Sequence, residues 1–194
     1  MFALFCMLFL FSSVSMPAKA YTQDGQKHWV KDTIYLRPYS GFTDLTLQHM
    51  KSSVSQWDQA AGQLVIGISN LSHSDNNASF GSGSWDGVNR IMKKKSDELY
   101  TGRTHVNADF FTGYVKEADI NLNANKKFAN SGQKGCYDTY SVFLHEAGHV
   151  IGLGHATSTV PVMYANLGTG VEKRTLQTDD KSGAHYIYQV WDKQ

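Results

Sequence analysis

Three histidines and a glutamate fall within eleven consecutive positions, in the run HEAGHVIGLGH from His145 to His155. In a helix, His145 and His149 stand four residues apart and share one face, so their imidazoles can bind one metal ion. Glu146 directly follows the first histidine, which puts it beside the metal without making it a ligand. The third ligand has to come from another direction, because a further helical turn would carry His155 away. Gly152 resolves this: it tolerates positive φ, ends the helix and turns the chain back. Three imidazoles and one open position are the ligand set of a catalytic zinc. A carboxylate beside that opening can take a proton from water activated at the metal and later hand it to a leaving amine.

A bare pair of histidines around a glutamate also arises by chance, as two surface histidines. The extended run fixes three histidines, a glutamate and a glycine, and is too long for that reading. Two rival readings fit less well. A site whose third ligand is a glutamate has no use for Gly152 and His155. A zinc-binding adhesion or toxin module without activity has no use for Glu146.

The elements that must hold these residues follow from pattern. Tyr137 to Ile151 is the strongest helix and carries the first two histidines. Thr33 to Tyr39 is β-rich, and Phe42 to Ala61 has helical spacing, with Gly62 as its C-cap. Leu64 to Ile68 and Val88 to Met92 read as strands, with a polar loop from Ser69 to Gly87 between them. Thr104 to Phe111 reads as an exposed strand. Tyr114 to Leu122 alternates, with Ala118, Ile120 and Leu122 on one face and Glu117, Asp119 and Asn121 on the other. Asn123 to Gly135 reads as a loop. A final helix is expected near Thr178, with Thr178 as N-cap and Asp179 and Asp180 at its positive end. Strands broken by helices predict a mixed sheet carrying helices, in one domain.

Composition agrees. The chain has 194 residues, 41% hydrophobic and 18% charged, with net charge +1, so neither nucleic acid nor an anionic membrane is the expected partner. Phe2 to Val14 is apolar and is followed by Ala18-Lys19-Ala20, which reads as a secretory signal over residues 1–20, although no Lys or Arg precedes the apolar run. The run is too short to span a bilayer, so no membrane span is expected in the mature form. Cleavage removes Cys6 and leaves Cys136 alone, read as a half-buried small residue, so no internal disulfide is expected. Residues 21–194 are expected to form one secreted or periplasmic domain.

HEAGHVIGLGH resembles the extended zinc motif of the metzincin metallopeptidases, and Met163, in Pro161-Val162-Met163-Tyr164, fits their methionine-containing turn. Within that clan the chain most resembles the matrixins, especially compact bacterial ones. Val54-Ser55-Gln56-Trp57, Asp86-Gly87-Val88-Asn89, Glu117-Ala118-Asp119-Ile120 and Leu176 to Tyr188 extend the likeness. The resemblance implies a zincin-like α+β catalytic domain. A twisted mixed five-stranded sheet and two long helices would form an upper part, residues 29–154. A small lower part, residues 155–194, would hold the Met-turn and a closing helix, with the cleft between the two parts. It further implies a zinc endopeptidase with one catalytic Zn2+ on His145, His149 and His155 and with Glu146 as base and acid. Met163, Gly152, Tyr164, Asp179 and Asp180 would support the site, the aspartates by bracing the turn. Polypeptides are the implied substrates, laid along the exposed edge strand from Thr104 to Phe110, and a monomer is the expected state.

The chain also departs from that pattern. The propeptide cysteine of matrixins is absent. His73-Ser74-Asp75 begins a structural-zinc pattern that only His105 could continue, which leaves a second zinc or calcium open. Tyr164 directly follows Met163, one residue short of the position of a zinc-binding tyrosine.

Overall fold

A computed structural model describes residues 32–74, 80, 85–109, 111–112 and 114–191. The expected signal, the leader after it and Asp75 lie outside the described residues. The described residues begin with strand β1 (Ile34–Pro38), helix α1 (Asp44–Ala61) and strands β2 (Ile66–Ile68) and β3 (Arg90–Met92). Then come the long strands β4 (Gly102–Ala108) and β5 (Val115–Leu122), the short strands β6 (Phe128–Ala129) and β7 (Tyr137–Asp138), and helices α2 (Thr139–Val150) and α3 (Thr178–His185). A π-helical turn, Tyr186–Trp191, continues α3.

Five strands form one mixed sheet in the order β2-β1-β3-β5-β4. The first four are parallel, and β4 pairs antiparallel with β5 at the sheet's edge, with Thr104 opposite Ile120. This is the α+β zincin-like architecture the sequence implies. The expected edge strand is present but starts two residues earlier, at Gly102, and ends at Ala108; Phe110 lies outside the described residues. β6 and β7 form a separate two-stranded parallel sheet within the stretch read as loop and helix start. The active-site helix therefore begins at Thr139 and not at Tyr137. Asp138 is its N-cap, with a carboxylate oxygen 2.9 Å from the amide of Ser141. Likewise Thr178 is the first residue of α3 and not its cap. Gln177 caps it, and its amide donates to Asp180 at 2.8 Å.

Thr43 caps α1 and Gly62 closes it at φ 73°, the left-handed conformation that glycine adopts without strain. Met50, Val54 and Trp57 of α1 pack with Phe143, Leu144 and Ala147 of α2 and with Ile34, Leu36, Ala118 and Ile120 of the sheet in one buried core. Each of the larger of these side chains stabilises the fold by about 1.5–3 kcal/mol through the area it removes from water. The indole of Trp57 also donates to the carbonyl of Leu144 at 2.9 Å, locking α1 to the helix that carries the histidines. Among the described residues no helix is long and apolar enough to cross a membrane.

Both faces of β5 are buried. Ala118, Ile120 and Leu122 join the core. Glu117, Asp119, Asn121 and Asn123 accept the backbone amides of Gly87, Arg90, Lys94 and Ser96, at 2.5, 2.7, 2.7 and 3.1 Å. A row of polar side chains thus pins the segment after the Ser69–Gly87 loop onto the sheet. Burial, chiefly, raises the Asp119 carboxyl to about 7, against the pull of the Arg90 amide. Its folded value lies above its ordinary one, so Asp119 costs stability as pH rises from 4 through 7. Asp119→Asn keeps the acceptor for Arg90 and cannot ionise. We expect it to match the wild type in urea unfolding at pH 4 and to exceed it by about 1–2 kcal/mol at pH 8. Parallel stability–pH curves for the two proteins would refute this.

Candidate metal centre and active site

The site starts from the anchoring of α2. Asp138 is buried at the helix start, and its carboxylate also takes the Ser141 hydroxyl at 2.7 Å and the Arg174 Nε at 3.0 Å. Burial alone would raise this carboxyl, but the Arg174 and Ser141 hydrogen bonds outweigh it and hold it below the ordinary value. The charged cap fixes the helix in position and rotation.

Two turns along, His145 and His149 point the same way. The Nδ1 of His145 lies 2.8 Å from the carbonyl of Val162, and that of His149 lies 2.7 Å from the carbonyl of Leu153. A carbonyl only accepts, so both Nδ1 atoms carry the proton and both Nε2 atoms present lone pairs. Gly152 takes φ 98° and its amide bonds the carbonyl of His149, which turns the chain out of the helix. His155 follows, and its Nε2 lies 3.2 Å from that of His149, which is itself 3.1 Å from that of His145. Lone pairs turned on one another at such distances are unfavourable unless a cation lies among them. Tetrahedral zinc with bonds of about 2.0–2.1 Å sets its nitrogens roughly 3.3 Å apart, so the donor set fits zinc. Burial, then His149, pushes His145 down to about 3, which keeps it in the neutral form that a ligand needs.

Met163 is buried beneath the triad. A Cβ on Gly148 would run into its sulfur and would come within 2.8 Å of Trp57, so a glycine is required between the two helical histidines. The turn is held from two sides. The carboxylate of Asp180 accepts the amides of Val162 and Met163 at 3.0 and 3.1 Å. Lys173 donates through Nζ to the carbonyls of Thr159 and Pro161, at 2.5 and 2.9 Å, and stands 5.2 Å from the ring centre of Tyr164. Asp180 is the aspartate that grips the turn, while Asp179 lies half-buried in the first turn of α3. Tyr164 is half-buried and outside the ligand cluster.

Glu146 is buried, with its Oε2 2.7 Å from the hydroxyl of Thr104 on β4. Burial, foremost, lifts its carboxyl to about 7, while Thr104 and then Arg103 pull it down. Glu146, the three histidines, Val142 and Leu167 line a cleft of about 830 Å³ that runs beside β4. Thr104, Gly102, Gly148 and Lys173 are the parts of the site that sequence reasoning missed. Period-two alternation on β4 places Gly102 and Thr104 on one face, but nothing in the sequence says that this face meets Glu146.

Among the described residues only His145, His149 and His155 form a three-residue cluster able to hold a metal. His73 instead sets its Nε2 3.1 Å from the carbonyl of Ile91, and His105 lies edge-on to Phe80 with ring centres 4.6 Å apart. Cys136 is a half-buried free thiol in the turn before β7.

Residues 46–189 match the family model for matrixins. Metalloendoproteinase 2-MMP of Arabidopsis thaliana is 26% identical over 156 residues, which cover 80% of this chain and 36% of that protein. Metalloendoproteinase 1 of Glycine max is 30% identical over 89 residues, 46% of this chain and 26% of that protein. The chain thus spans about a third or less of the length of these relatives. The match runs from α1 to the end of the closing helix and takes in the histidine cluster, the turn beneath it and the strand beside it, so the chain belongs to the matrixin family.

Proposed function

We propose that this chain is a secreted zinc-dependent endopeptidase. The observation that carries the reading is the convergence of three Nε2 atoms, two of them with lone pairs exposed by Nδ1–H bonds to carbonyls, beside a buried carboxylate in an open cleft. His145, His149 and His155 would hold the ion, in keeping with the zinc dependence of matrixins. Zinc, when bound there, supplies Lewis acidity that polarises a carbonyl and makes water a nucleophile near neutral pH.

The chain's own groups do the rest. Among the described residues β4 is the edge strand of the sheet, and its outer side would offer main-chain donors and acceptors to an extended peptide lying antiparallel to it in many sequences. The Glu146 carboxylate accepts a proton from the attacking water as the carbon–oxygen bond forms. It then gives that proton to the amide nitrogen as the carbon–nitrogen bond breaks, so the amine leaves neutral and the carboxylate is regenerated. Polypeptides are the substrates and the working unit is a monomer. Incubation of the purified protein with unfolded casein fragments should yield new amino termini within the chains, read by mass spectrometry. Release of terminal residues alone, or no cleavage across a broad peptide library, would contradict the reading.

Export belongs to the same proposal. The apolar run and Ala18-Lys19-Ala20 support a mature chain that begins at Tyr21. Amino-terminal sequencing of secreted material should start there; a secreted chain that still contains Phe2 to Val14 would overturn it.

A further inference from the structure

We propose that Thr104 is a positioning residue for Glu146, fixing the orientation in which its carboxylate faces the cleft. The inference rests on the endopeptidase reading above for its consequence, but on geometry for its content. A glutamate side chain has two equivalent oxygens and a soft last torsion, so a buried helix alone does not aim it. Here β4 does. The Thr104 hydroxyl lies 2.7 Å from Oε2 and 3.0 Å from the main-chain carbonyl of Glu146 itself. Its one proton goes to the carboxylate oxygen, the closer of the two acceptors.

Two residues earlier on the same face of β4, Gly102 supplies the matching space. A Cβ there would fall 2.6 Å from Oε1, 2.9 Å from Cγ of Glu146 and 2.8 Å from Val142. The strand therefore forms a slot with the Thr104 hydroxyl at Oε2 and no side chain at Oε1, and both Gly102 and Glu146 line the cleft from which water would approach. β4 is also the edge strand against which a peptide would pair. One strand then sets both the register of the substrate and the orientation of the base. A shift of β4 that misplaced the peptide would misplace the carboxylate with it.

Thr104→Val keeps the side chain's shape and removes the hydroxyl, whereas Thr104→Ser keeps the hydroxyl. The zinc-loaded wild type and both variants are assayed on casein fragments, and the metal-free proteins are crystallised. Thr104→Val should lower kcat by about 10- to 100-fold with KM changed less than about threefold, because the hydrogen bond acts on the base and not on peptide binding. Thr104→Ser should stay within about threefold of the wild type in both constants. In the metal-free crystals the Glu146 carboxylate should turn away from its wild-type position in Thr104→Val and keep it in Thr104→Ser. A carboxylate unmoved in Thr104→Val would overturn the proposal, as would equal losses of kcat in the two variants, which mark a merely structural role. If the wild type cleaves no peptide, the endopeptidase reading fails by itself, and the metal-free structures still decide whether Thr104 positions Glu146.

Discussion

Alanine at position 155 is expected to empty the metal site while leaving the fold in place. His155 is exposed, so its truncation removes little packing, and surface changes of this kind stay within about 0.5 kcal/mol in the metal-free protein. The effect on zinc is of another order. His145 and His149 remain aimed by their carbonyl partners, but two nitrogens on one helix face do not enclose an ion. Loss of an outer-shell partner of a metal ligand alone costs about 10- to 100-fold in affinity, and removal of a ligand costs at least the upper figure. Zinc that binds only the folded state also stabilises it by mass action. The wild type should therefore melt at a higher temperature with zinc than without, and His155→Ala should show no such gain. Metal analysis after dialysis is the check. The wild type should retain one zinc per chain and the variant almost none. Full zinc content in the variant would assign the third ligand elsewhere.

Glu146→Gln is expected to separate the metal from the chemistry. The change preserves size, and the amide oxygen can still accept from Thr104, so the slot beside β4 remains filled. The three histidines and their carbonyl partners are untouched, so zinc content should equal that of the wild type. In the proposed mechanism the variant loses the carboxylate that takes a proton from water and returns it to the amine. General acid–base catalysis contributes about 10²–10⁴-fold, and kcat should fall by at least that range. Urea unfolding of the metal-free variant should match or exceed that of the wild type, because a buried carboxyl lifted to about 7 has been replaced by a neutral group. Wild-type kcat in Glu146→Gln would show that proton transfer runs through another residue.

The convergence of the three histidines was legible because its information is local. Four-residue spacing in a helix and one glycine able to take φ 98° suffice to bring three rings together. The long elements were legible for the same reason: α1, α2, β4 and β5 each carry a repeated pattern. The two-residue strands β6 and β7 carry no period, which is why Tyr137 and Asp138 read as the start of a helix. Alternation on β5 gave its two faces but not that the polar one is buried, since that depends on amides about thirty residues earlier in the chain. Spacing could not choose between Asp179 and Asp180 for the Met-turn, because the choice depends on how α3 approaches residues 162 and 163. Thr104 and Gly102 were invisible because they meet Glu146 across more than forty residues of sequence.

A metal held on this triad would let the chain cut peptide bonds. This is tested most directly by stripping the purified wild type of metal with a strong chelator and titrating zinc back while casein cleavage is followed. No cleavage is expected in the stripped protein, and full recovery at about one zinc per chain, since three histidines around one point would form a single site. Cleavage that persists without metal would contradict this, as would a chain that takes up one zinc and still cuts nothing.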